Sequence, residues 1–468
     1  MNRQGSMAEF GSPRVGATAK EIARAVRRGD ASATRVVADH LDHLGRADSV
    51  VSAFRVVRAA AAAAEAEKVD QQPDLGNLPL AGVPVAVKDN TAVAGVVTGN
   101  GSRAAAAGVA DADDEVVRRL RGAGAVIVGT TRMPELGLWA VTDSDDAAVR
   151  NPWRTDRTAG GSSGGAAAAV AAGIVPLAQG NDGLGSVRIP AACCGVVGVK
   201  PGHGVLPARE DDAWYGLVEH GVLATTVADA ALGLDVLSGA RPTPLRQPGR
   251  LRVAVSMRAP AVGVWPDAGN RTALADAARA LVDAGHDTAL ADPPYPGSLR
   301  TGALWTAVAH RAVAALGVAP AHLQPRSRWH AAVGGVLERW GLAGEDAQRR
   351  WRVGAADFFG GGFDILLTPV LAGSPPPAAG WAGRSWLANV AASARLAPYP
   401  GVWNVAGLPA LSVPVGIRPD GIPGAVQLVG PAGSERTLLA VAGQLELLRP
   451  WRRHAPTFPR TDARLAGP

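Results

Sequence analysis

The chain has 468 residues, 47% of them hydrophobic, so it is long enough for one large domain or for two or three smaller ones. Its 47 basic and 41 acidic residues give a formal net charge of +6. Acidic residues are interspersed among the arginines, and no basic run alternates with aromatic residues. This pattern is not typical of a nucleic-acid-binding surface, so no nucleic-acid partner is expected.

The sequence also predicts where the protein resides. No apolar run reaches the roughly 18 residues that a membrane span needs, so no membrane partner is expected. The two cysteines, Cys193 and Cys194, are adjacent, and adjacent cysteines rarely bridge, which favours a reducing, cytoplasmic location. Residues 1–13 are typical of a vector-derived leader with a second methionine, Met7, and they are left out of the fold prediction.

Helices and strands are predicted to alternate along the chain. Thr18 and Glu21 have the spacing of a capping box, so a helix should begin there, and Asp30 or Ser32 could cap a second helix that runs toward Leu44. The other predicted helices are Ala59–Val69, Glu115–Ala123, Ala166–Ala172, Thr226–Leu237 and Ser434–Leu445. The predicted strands are Val83–Val87, Ala125–Val128, Val175–Gln179, Val196–Lys200, Leu251–Ser256, Phe363–Thr368, Leu411–Val415 and Val426–Val429. The alternation predicts an α/β protein with a largely buried sheet.

Two segments differ from this pattern. Residues 151–165 are predicted to be a loop. Residues 257–360 are predicted to be mainly helical, and they hold five of the twelve tryptophans, which suggests an aromatic core layer or a pocket wall.

A lysine and two serines stand out as chemistry-bearing residues. Only four lysines occur beside 43 arginines, and one of them, Lys88, ends a predicted strand in the segment GVPVAVKDN (82–90). Ser162 lies in GGSSGG (160–165) and Ser186 in DGLGSVRIP (182–190). A serine hydroxyl is a poor nucleophile until a base takes its proton, and an arginine cannot serve as that base. A lysine can, if burial lowers its pKa from about 10.4 toward 7.

The same residues have less specific interpretations. A lysine at a strand end is usually a solvated charge, and a glycine–serine run is usually a flexible loop or a phosphate cradle. The Walker pattern of a phosphate cradle is absent here. The Gly-x-Ser-x-Gly elbow is absent as well, because Leu184 and Arg188 occupy its two glycine positions. Each motif is therefore weak when taken singly.

Taken together, the three segments resemble the amidase signature family. Further segments that are similar to that family are GTTRMPELG (129–137), NPW (151–153), CGVVGVKP (194–201), FDILLTP (363–369), NVAGLPA (404–410) and QLVGP (427–431). The resemblance covers about residues 17–256 and 360–445.

The resemblance implies a fold and a reaction. The fold is a single α/β/α domain over residues 14–468, with a large twisted mixed β-sheet covered by helices on both faces and with a variable substrate-binding region at 257–360. The reaction is hydrolysis of a carboxylic amide through a serine acyl-enzyme, without a metal or an organic cofactor. The partner implied is a small-molecule amide substrate.

The resemblance also implies the site residues. Ser186 is the nucleophile, Lys88 the base, and Ser162 the proton relay, which is associated with a cis peptide bond. The backbone N–H groups of Gly183, Leu184 and Gly185 form the oxyanion hole. The loops of the site are stabilised by residues that do not contact the substrate, namely Ser163, Asp182 and Arg188. Leu184 stands where the family usually has glycine, so it either narrows the acyl pocket or strains the loop if its φ is positive.

Substrate contacts are assigned to large side chains near these motifs. The candidates are Met133, Trp139, Leu184, Trp305, His310 and Trp329, with Thr142 and His330 beside them. An aromatic core layer is an equally good interpretation of the tryptophans. Residues 141–146 are predicted to form an acidic surface loop.

Several alternatives stay open at the level of the sequence. The acyl-enzyme could be intercepted by an amine, which would make the protein an acyltransferase. The chain could be the amidase subunit of a glutamine-dependent tRNA amidotransferase, which needs partner chains, or a non-catalytic binding protein on the same fold. The identity and chirality of the substrate and the oligomeric state, including a homodimer, are also open.

Overall fold

The computed structural model describes residues 14–104, 108–144, 146–207, 214–343 and 345–456. The predicted leader, residues 1–13, lies outside this part of the chain.

Thirteen strands occur within these ranges. They are β1 (Phe54–Val57), β2 (Pro84–Lys88), β3 (Val126–Thr131), β4 (Arg150–Asn151), β5 (Arg154–Thr158), β6 (Leu177–Asp182), β7 (Val197–Lys200), β8 (Glu219–Ala224), β9 (Arg252–Val255), β10 (Asp287–Leu290), β11 (Ile365–Pro369), β12 (Ala410–Ile417) and β13 (Pro423–Val429).

Fourteen α-helices accompany the strands in the described ranges. They are α1 (Ala19–Arg27), α2 (Ala33–Val51), α3 (Ala59–Asp70), α4 (Glu115–Gly122), α5 (Gly164–Ala171), α6 (Arg188–Cys194), α7 (Val227–Ser238), α8 (Ala268–Asp283), α9 (Ser298–Ala315), α10 (Pro325–Arg339), α11 (Glu345–Gly360), α12 (Trp386–Leu396), α13 (Gly401–Ala406) and α14 (Glu435–Leu448).

Eleven of the strands form one mixed sheet, in the order β1-β3-β2-β6-β8-β7-β12-β13-β11-β9-β10. Helix α7 contacts α1, α4 and α14, and α14 contacts α8, so these helices form one layer on the sheet. Helices α2, α5 and α6 form another, in which α5 contacts both α2 and α6. The predicted α/β fold with a large mixed sheet and helices on both faces is confirmed.

The topology brings the ends of two motif-bearing strands together. Strand β2 runs parallel to β6, with Val85 opposite Leu177 and Ala86 opposite Ala178. The carboxyl ends of parallel neighbours lie at the same edge of a sheet. Lys88 ends β2 and Asp182 ends β6, so the segments that carry Lys88 and Ser186 leave the sheet side by side.

The hydrophobic core has three parts. The main cluster lies between the sheet and its helical layers, where β2, β3, β6 and β7 are buried along their whole length. Two smaller clusters lie beside it, one around Trp351 and Trp403 and one around Trp139 and Ala309. The region 257–360 supplies helices α8–α11 and strand β10, and its helices α9, α10 and α11 contribute side chains to these smaller clusters.

The predicted helix starts at the N-terminal end are present. Thr18 and Glu21 form the capping box of α1. Ser32, not Asp30, caps α2 by accepting a hydrogen bond from the backbone N–H of Arg35 at 3.1 Å. Helix α2 continues to Val51, beyond the predicted end at Leu44.

The prediction that residues 151–165 form a loop is wrong in part. Strands β4 and β5 pair as an antiparallel hairpin, and α5 already begins at Gly164. Asn151 Nδ2 and Trp153 Nε1 anchor the hairpin by donating to the carbonyls of Cys193 and Cys194, both at 2.7 Å. Strand β5, with the sequence RTDRT, is mostly solvent-facing, so it lacks the apolar alternation that a sequence-based prediction needs.

In the described part of the chain, no helix is both long and apolar enough to cross a membrane.

A pair of carboxyl groups, of the buried Asp229 and the half-buried Glu446, joins α1, α7 and α14. Asp229 accepts the backbone N–H groups of Ala19 and Lys20 at 2.8 and 3.1 Å, and Glu446 accepts the backbone N–H of Val227 at 3.2 Å. Burial raises the pKa of Asp229 to about 6, and burial together with the nearby charge of Asp229 raises the pKa of Glu446 to about 7.

Replacing Glu446 by glutamine is expected to stabilise the protein at pH 8 and to leave it unchanged at pH 4. The folded state holds the Glu446 proton more tightly than the unfolded chain, so this contribution to stability is complete below about pH 4.5 and is lost as the pH rises through about 7. Glutamine imitates the protonated acid, so thermal unfolding at pH 8 should gain on the order of 1 kcal/mol, or about 1–2 °C. Glu67→Gln, on the exposed side of α3, is the control. A gain that is equal at both pH values would contradict the explanation.

Candidate active site

Lys88 is fully buried at the end of β2. Its Nζ lies 2.8 Å from Ser162 Oγ, 2.8 Å from Asn181 Oδ1 and 3.3 Å from the Asn181 carbonyl oxygen. A neutral amine has two N–H donors and one lone pair. If the two oxygens of Asn181 accept the N–H groups, the lone pair of Lys88 is directed at the Ser162 hydroxyl.

Ser162 lies in a tightly packed turn that leads into α5. The peptide bond between Gly161 and Ser162 is cis, as the family resemblance implies. A Cβ atom on Gly161 would lie 2.5 Å from the carbonyl oxygen of Trp139, so only glycine fits there. The glycine–serine run is therefore a closely packed structural element.

Ser186 follows β6 and precedes α6, and its loop is tied to that of Ser162. The backbone N–H of Ser163 donates to the Ser186 carbonyl at 3.0 Å, and Ser163 Oγ donates to the Asn181 carbonyl at 3.2 Å. The Ser186 side chain is half-buried, and its hydroxyl forms no hydrogen bond with the residues that the structure describes. It lines the walls of two cavities, so it is open to a substrate from both.

The carboxylate of Asp182 organises the loop that carries Ser186. It accepts the backbone N–H of Gly185 at 2.6 Å and that of Val187 at 3.1 Å. The Gly185 N–H is thereby occupied, so the structure does not support its predicted place in the oxyanion hole. The N–H groups of Gly183 and Leu184 form no backbone hydrogen bond with the residues that the structure describes. Gly185 has a φ of 116°, whereas Leu184 is not among the residues with positive φ. The leucine therefore causes no backbone strain, and its side chain lines a cavity wall.

Arg188 holds Asp182 in a fully buried ion pair, with 2.9 Å between Nη2 and Oδ1. Its remaining hydrogen bonds go to the Pro400 carbonyl and the side chains of Gln427 and Asn404. Burial alone would raise the pKa of Asp182, but the charge and hydrogen bonds of Arg188 outweigh burial and hold the pKa well below its usual range. The pair thus stays ionised and braces the loop from behind.

A second group of polar side chains supports Lys88. Gln179 Oε1 accepts the backbone N–H of Lys88 at 3.1 Å, and Gln179 Nε2 lies 3.0 Å from His220 Nδ1. Asn181 Nδ2 donates to Asn90 Oδ1 at 2.7 Å, which fixes the amide that contacts Lys88. The sequence analysis did not identify Asn90, Gln179 and Asn181, although all three lie within three residues of Lys88 or of Asp182.

Two cavities meet at Ser186. The larger, of about 200 Å³, is bordered by Trp139, Leu184 and Trp305. The smaller, of about 100 Å³, is bordered by Ser162 and Asn181. Among the described residues, no cluster of three or more histidine, cysteine, aspartate or glutamate side chains is placed to hold a metal ion.

A protein-family model described as Amidase matches residues 35–439, most of the chain. The chain belongs to the amidase signature family. The relatives include a Mycobacterium tuberculosis protein described as "Putative amidase AmiB2", which is 40% identical over 93% of this chain and 96% of its own length. The 6-aminohexanoate-cyclic-dimer hydrolase of a Pseudomonas species is 32% identical over 93% of this chain and 95% of its own.

Solved structures of amidases have the same fold. A 6-aminohexanoate cyclic dimer hydrolase in complex with substrate superposes with a TM-score of 0.85 at 30% identity, covering 94% of this chain and 99% of the other. A bacterial aryl acylamidase of the amidase signature family gives a TM-score of 0.80 at 25% identity, covering 94% and 98%. The predicted family membership is confirmed, and the protein is an enzyme of a family of hydrolases that act on amides.

The predicted substrate contacts of this amidase fall into two groups. Trp139, Leu184 and Trp305 line the larger cavity. Met133 is buried behind Gly137 and borders neither cavity; a Cβ on Gly137 would lie 3.3 Å from Met133 Cε.

His310 and Trp329 do not reach the cavities, so the structure does not support their assignment as substrate contacts. His310 is exposed and follows Trp305 by five residues, which rotates it about 140° around α9. Trp329 is 59% exposed on α10, next to His330, which points inward. The sequence shows the helices but not which side of each faces the cavity.

His330 belongs to an aromatic cluster behind the cavity wall. Its ring centre lies 4.4 Å from that of Trp305 and 4.9 Å from that of Trp139, and its Nδ1 accepts a hydrogen bond from Trp386 Nε1 at 3.0 Å. Burial lowers the pKa of His330 to about 3. The imidazole is therefore neutral and serves as packing, the second of the two interpretations that the sequence left open.

The prediction that residues 141–146 form an acidic surface loop is wrong for its first half. Val141, Thr142 and Asp143 are buried. Asp143 forms an ion pair at 2.7 Å with the buried Arg326, and its Oδ2 accepts the backbone N–H of Ala382 at 2.8 Å. A buried guanidinium group such as that of Arg326 needs a carboxylate partner, and the ion pair with Asp143 keeps this half of the loop in the interior.

Proposed function

We propose that this amidase hydrolyses carboxylic amides of small molecules through a serine acyl-enzyme, with Ser186 as nucleophile, Ser162 as proton relay and Lys88 as base. The observation that carries the proposal is the 2.8 Å separation between Lys88 Nζ and Ser162 Oγ in a fully buried setting. Burial disfavours the charged form of a lysine, and Asn181 offers two oxygen acceptors to the amine of Lys88.

The acylation half of the reaction has a simple proton balance. Ser186 Oγ attacks the amide carbonyl carbon, its proton passes to Ser162 Oγ, and the Ser162 proton passes to Lys88 Nζ. The carbonyl oxygen becomes an oxyanion that accepts hydrogen bonds from the N–H groups of Gly183 and Leu184. When the tetrahedral intermediate collapses, the C–N bond breaks and the amine nitrogen takes a proton back from Ser162, which recovers one from Lys88.

The second half repeats these steps with water. A water molecule attacks the acyl carbon, its proton passes to Ser162 Oγ, and the Ser162 proton passes to Lys88 Nζ. When this second tetrahedral intermediate collapses, the bond between the acyl carbon and Ser186 Oγ breaks. Ser186 Oγ takes a proton from Ser162, which recovers one from Lys88, and the carboxylic acid leaves. An amine in place of water would give acyl transfer at the same site. We propose hydrolysis as the main reaction, and we propose the cytoplasm as its location, since Cys193 and Cys194 are unpaired and buried.

A mass-spectrometric screen tests the proposal. A broad set of neutral amides is incubated with wild type and with Ser186→Ala, with and without added hydroxylamine. We expect the wild type to release carboxylic acids and Ser186→Ala to release none. When hydroxylamine is present, we expect part of the product of the wild type to be the hydroxamate. Hydroxamate that displaces all acid product would favour acyl transfer. If no amide in the set is turned over by the wild type, the proposal is wrong and a binding function becomes the better explanation.

A further inference from the structure

The two cavities at Ser186 have different access to the proton relay. Ser186 borders both, but Ser162 borders only the smaller one among the described residues. Gly183, whose N–H group is available to an oxyanion, also borders the smaller cavity.

This difference fixes the orientation of a bound amide. The tetrahedral carbon, which was the carbonyl carbon, has four substituents: the Ser186 oxygen, the oxyanion, the amine nitrogen and the carbon chain of the acid. The nitrogen must approach Ser162 to collect its proton, so it lies in the smaller cavity, which we call the amine compartment. The carbon chain of the acid then extends away from Ser162 into the larger cavity, which we call the acyl compartment.

The acyl compartment is large and apolar. Trp139, Leu184, Ile189, Trp214 and Trp305 supply much of its wall, and none of the described lining residues carries a charge. An ionised group on the acyl chain would lose its hydration there without finding a partner, which is costly. The acyl group that fits is therefore uncharged and bulky, such as an aryl or arylalkyl group.

The amine compartment is about half as large and more polar. Three asparagines, Asn90, Asn100 and Asn181, border it, and so do the buried Ala312 and the exposed Ala315 of α9. Its described lining likewise has no charged side chain. Amide groups and limited space suit ammonia or a small uncharged amine.

We infer that the preferred substrates are uncharged amides in which the acyl part is the bulky apolar part and the amine part is small, that is, primary or N-methyl amides of aryl and arylalkyl carboxylic acids. This inference rests on the proposed function, because it uses the proton path from Ser162.

A pair of isomeric amides tests the orientation. In 3-phenylpropanamide the phenyl group lies on the acyl side and ammonia is released. In N-benzylacetamide the phenyl group lies on the amine side and benzylamine is released. The two leaving amines have similar basicity, so a difference in kcat/KM reports the fit of each side. We expect the full-length wild type to favour 3-phenylpropanamide by at least about tenfold.

Two variants test the two compartments, one variant for each. Leu184→Gly widens the acyl compartment, so it should raise the ratio of kcat/KM for 3,3-diphenylpropanamide over 3-phenylpropanamide by about tenfold. Ala315→Leu narrows the amine compartment, so it should lower kcat/KM for the N-methyl amide relative to the primary amide. Neither variant should alter the other ratio. A charged analogue, succinamate, should be hydrolysed at least about tenfold more slowly than butanamide.

The outcomes separate the inference from the proposed function. Equal hydrolysis of the two isomers, or a preference for N-benzylacetamide, that still requires Ser186 would overturn the orientation and leave the proposed function standing. Variants that change each other's ratio, or efficient hydrolysis of succinamate, would overturn the assignment of the compartments. If no amide is hydrolysed in a Ser186-dependent way, both fail together.

Discussion

Replacing Lys88 by arginine is expected to lower kcat by at least about 10³-fold, although arginine is the other long basic side chain. A guanidinium group cannot be deprotonated in a protein, so it cannot accept the proton of Ser162. The proposed base is the neutral amine of lysine, whereas arginine stays protonated, so the loss should appear at every pH at which the protein is folded. Steady-state hydrolysis of a substrate from the amide screen, followed by product mass spectrometry, measures the effect.

The control for Lys88→Arg must separate lost chemistry from lost packing. Lys88 is fully buried, and a longer side chain could disturb the site by overpacking. Lys88→Met has a similar length without the amine and should show the same loss. Lys68→Arg, on the exposed face of α3, should keep full activity. If thermal unfolding matches the wild type and Lys88→Arg retains activity within tenfold, the assignment of Lys88 as base is refuted.

Replacing Ser186 by alanine is expected to lower kcat by about 10⁵–10⁶-fold, because the proposed acyl-enzyme can no longer form. The change is small in volume and the side chain is half-buried, so the fold should persist. The same variant should lose covalent labelling by a fluorophosphonate probe, measured as the intact mass of the protein. This second measurement does not depend on knowing the substrate.

Ser163→Ala is a matched control from the same segment as Ser162. Its hydroxyl donates to the Asn181 carbonyl at 3.2 Å, so its loss should disturb the lysine site without removing the nucleophile. We expect a decrease of about tenfold in kcat and unchanged labelling by the probe. Labelling of Ser186→Ala at the same rate as the wild type would mean that another residue is the nucleophile.

The elements that carry the motifs were predictable because their strands are short apolar runs. Strands β2, β3, β7 and β11 are buried along their whole length, and an uninterrupted apolar run predicts such a strand. Strand β8 was missed although it is fully buried, since it opens with Glu219 and His220. Those polar side chains contact residues that lie outside β8. Glu219 Oε1 lies 2.7 Å from His203 Nδ1, and His220 Nδ1 lies 3.0 Å from Gln179 Nε2. Such pairing depends on tertiary structure.

Other elements were missed for local reasons. Strand β1 (FRVV) is interrupted by Arg55 and is only partly buried, and β10 is mostly exposed. Helix α6 has only seven residues and contains a proline, Pro190, so it lacks the periodicity of a longer helix. Helices α12 and α13 were also missed.

The candidate site was only partly predictable for a different reason. Lys88, Ser162 and Ser186 lie in segments whose order and spacing resemble the family, so their positions were available from the sequence. Asn181 contacts Lys88 across 93 residues of sequence, and no periodicity reveals such a contact. The choice among tryptophans depended on the rotation of α9 and α10 about their axes, which is decided by packing against Trp139 and not by local sequence.

The position of Ser162 at the smaller cavity has a consequence for the order of kinetic events. In the proposed mechanism the same hydroxyl gives a proton to the departing amine and then takes one from the incoming water, and both molecules reach it through the smaller cavity. Water can therefore occupy that space only after the amine has left. Double-reciprocal plots with hydroxylamine as a second acceptor should then consist of parallel lines, and an excess of the product amine should slow turnover by returning the acyl-enzyme to substrate.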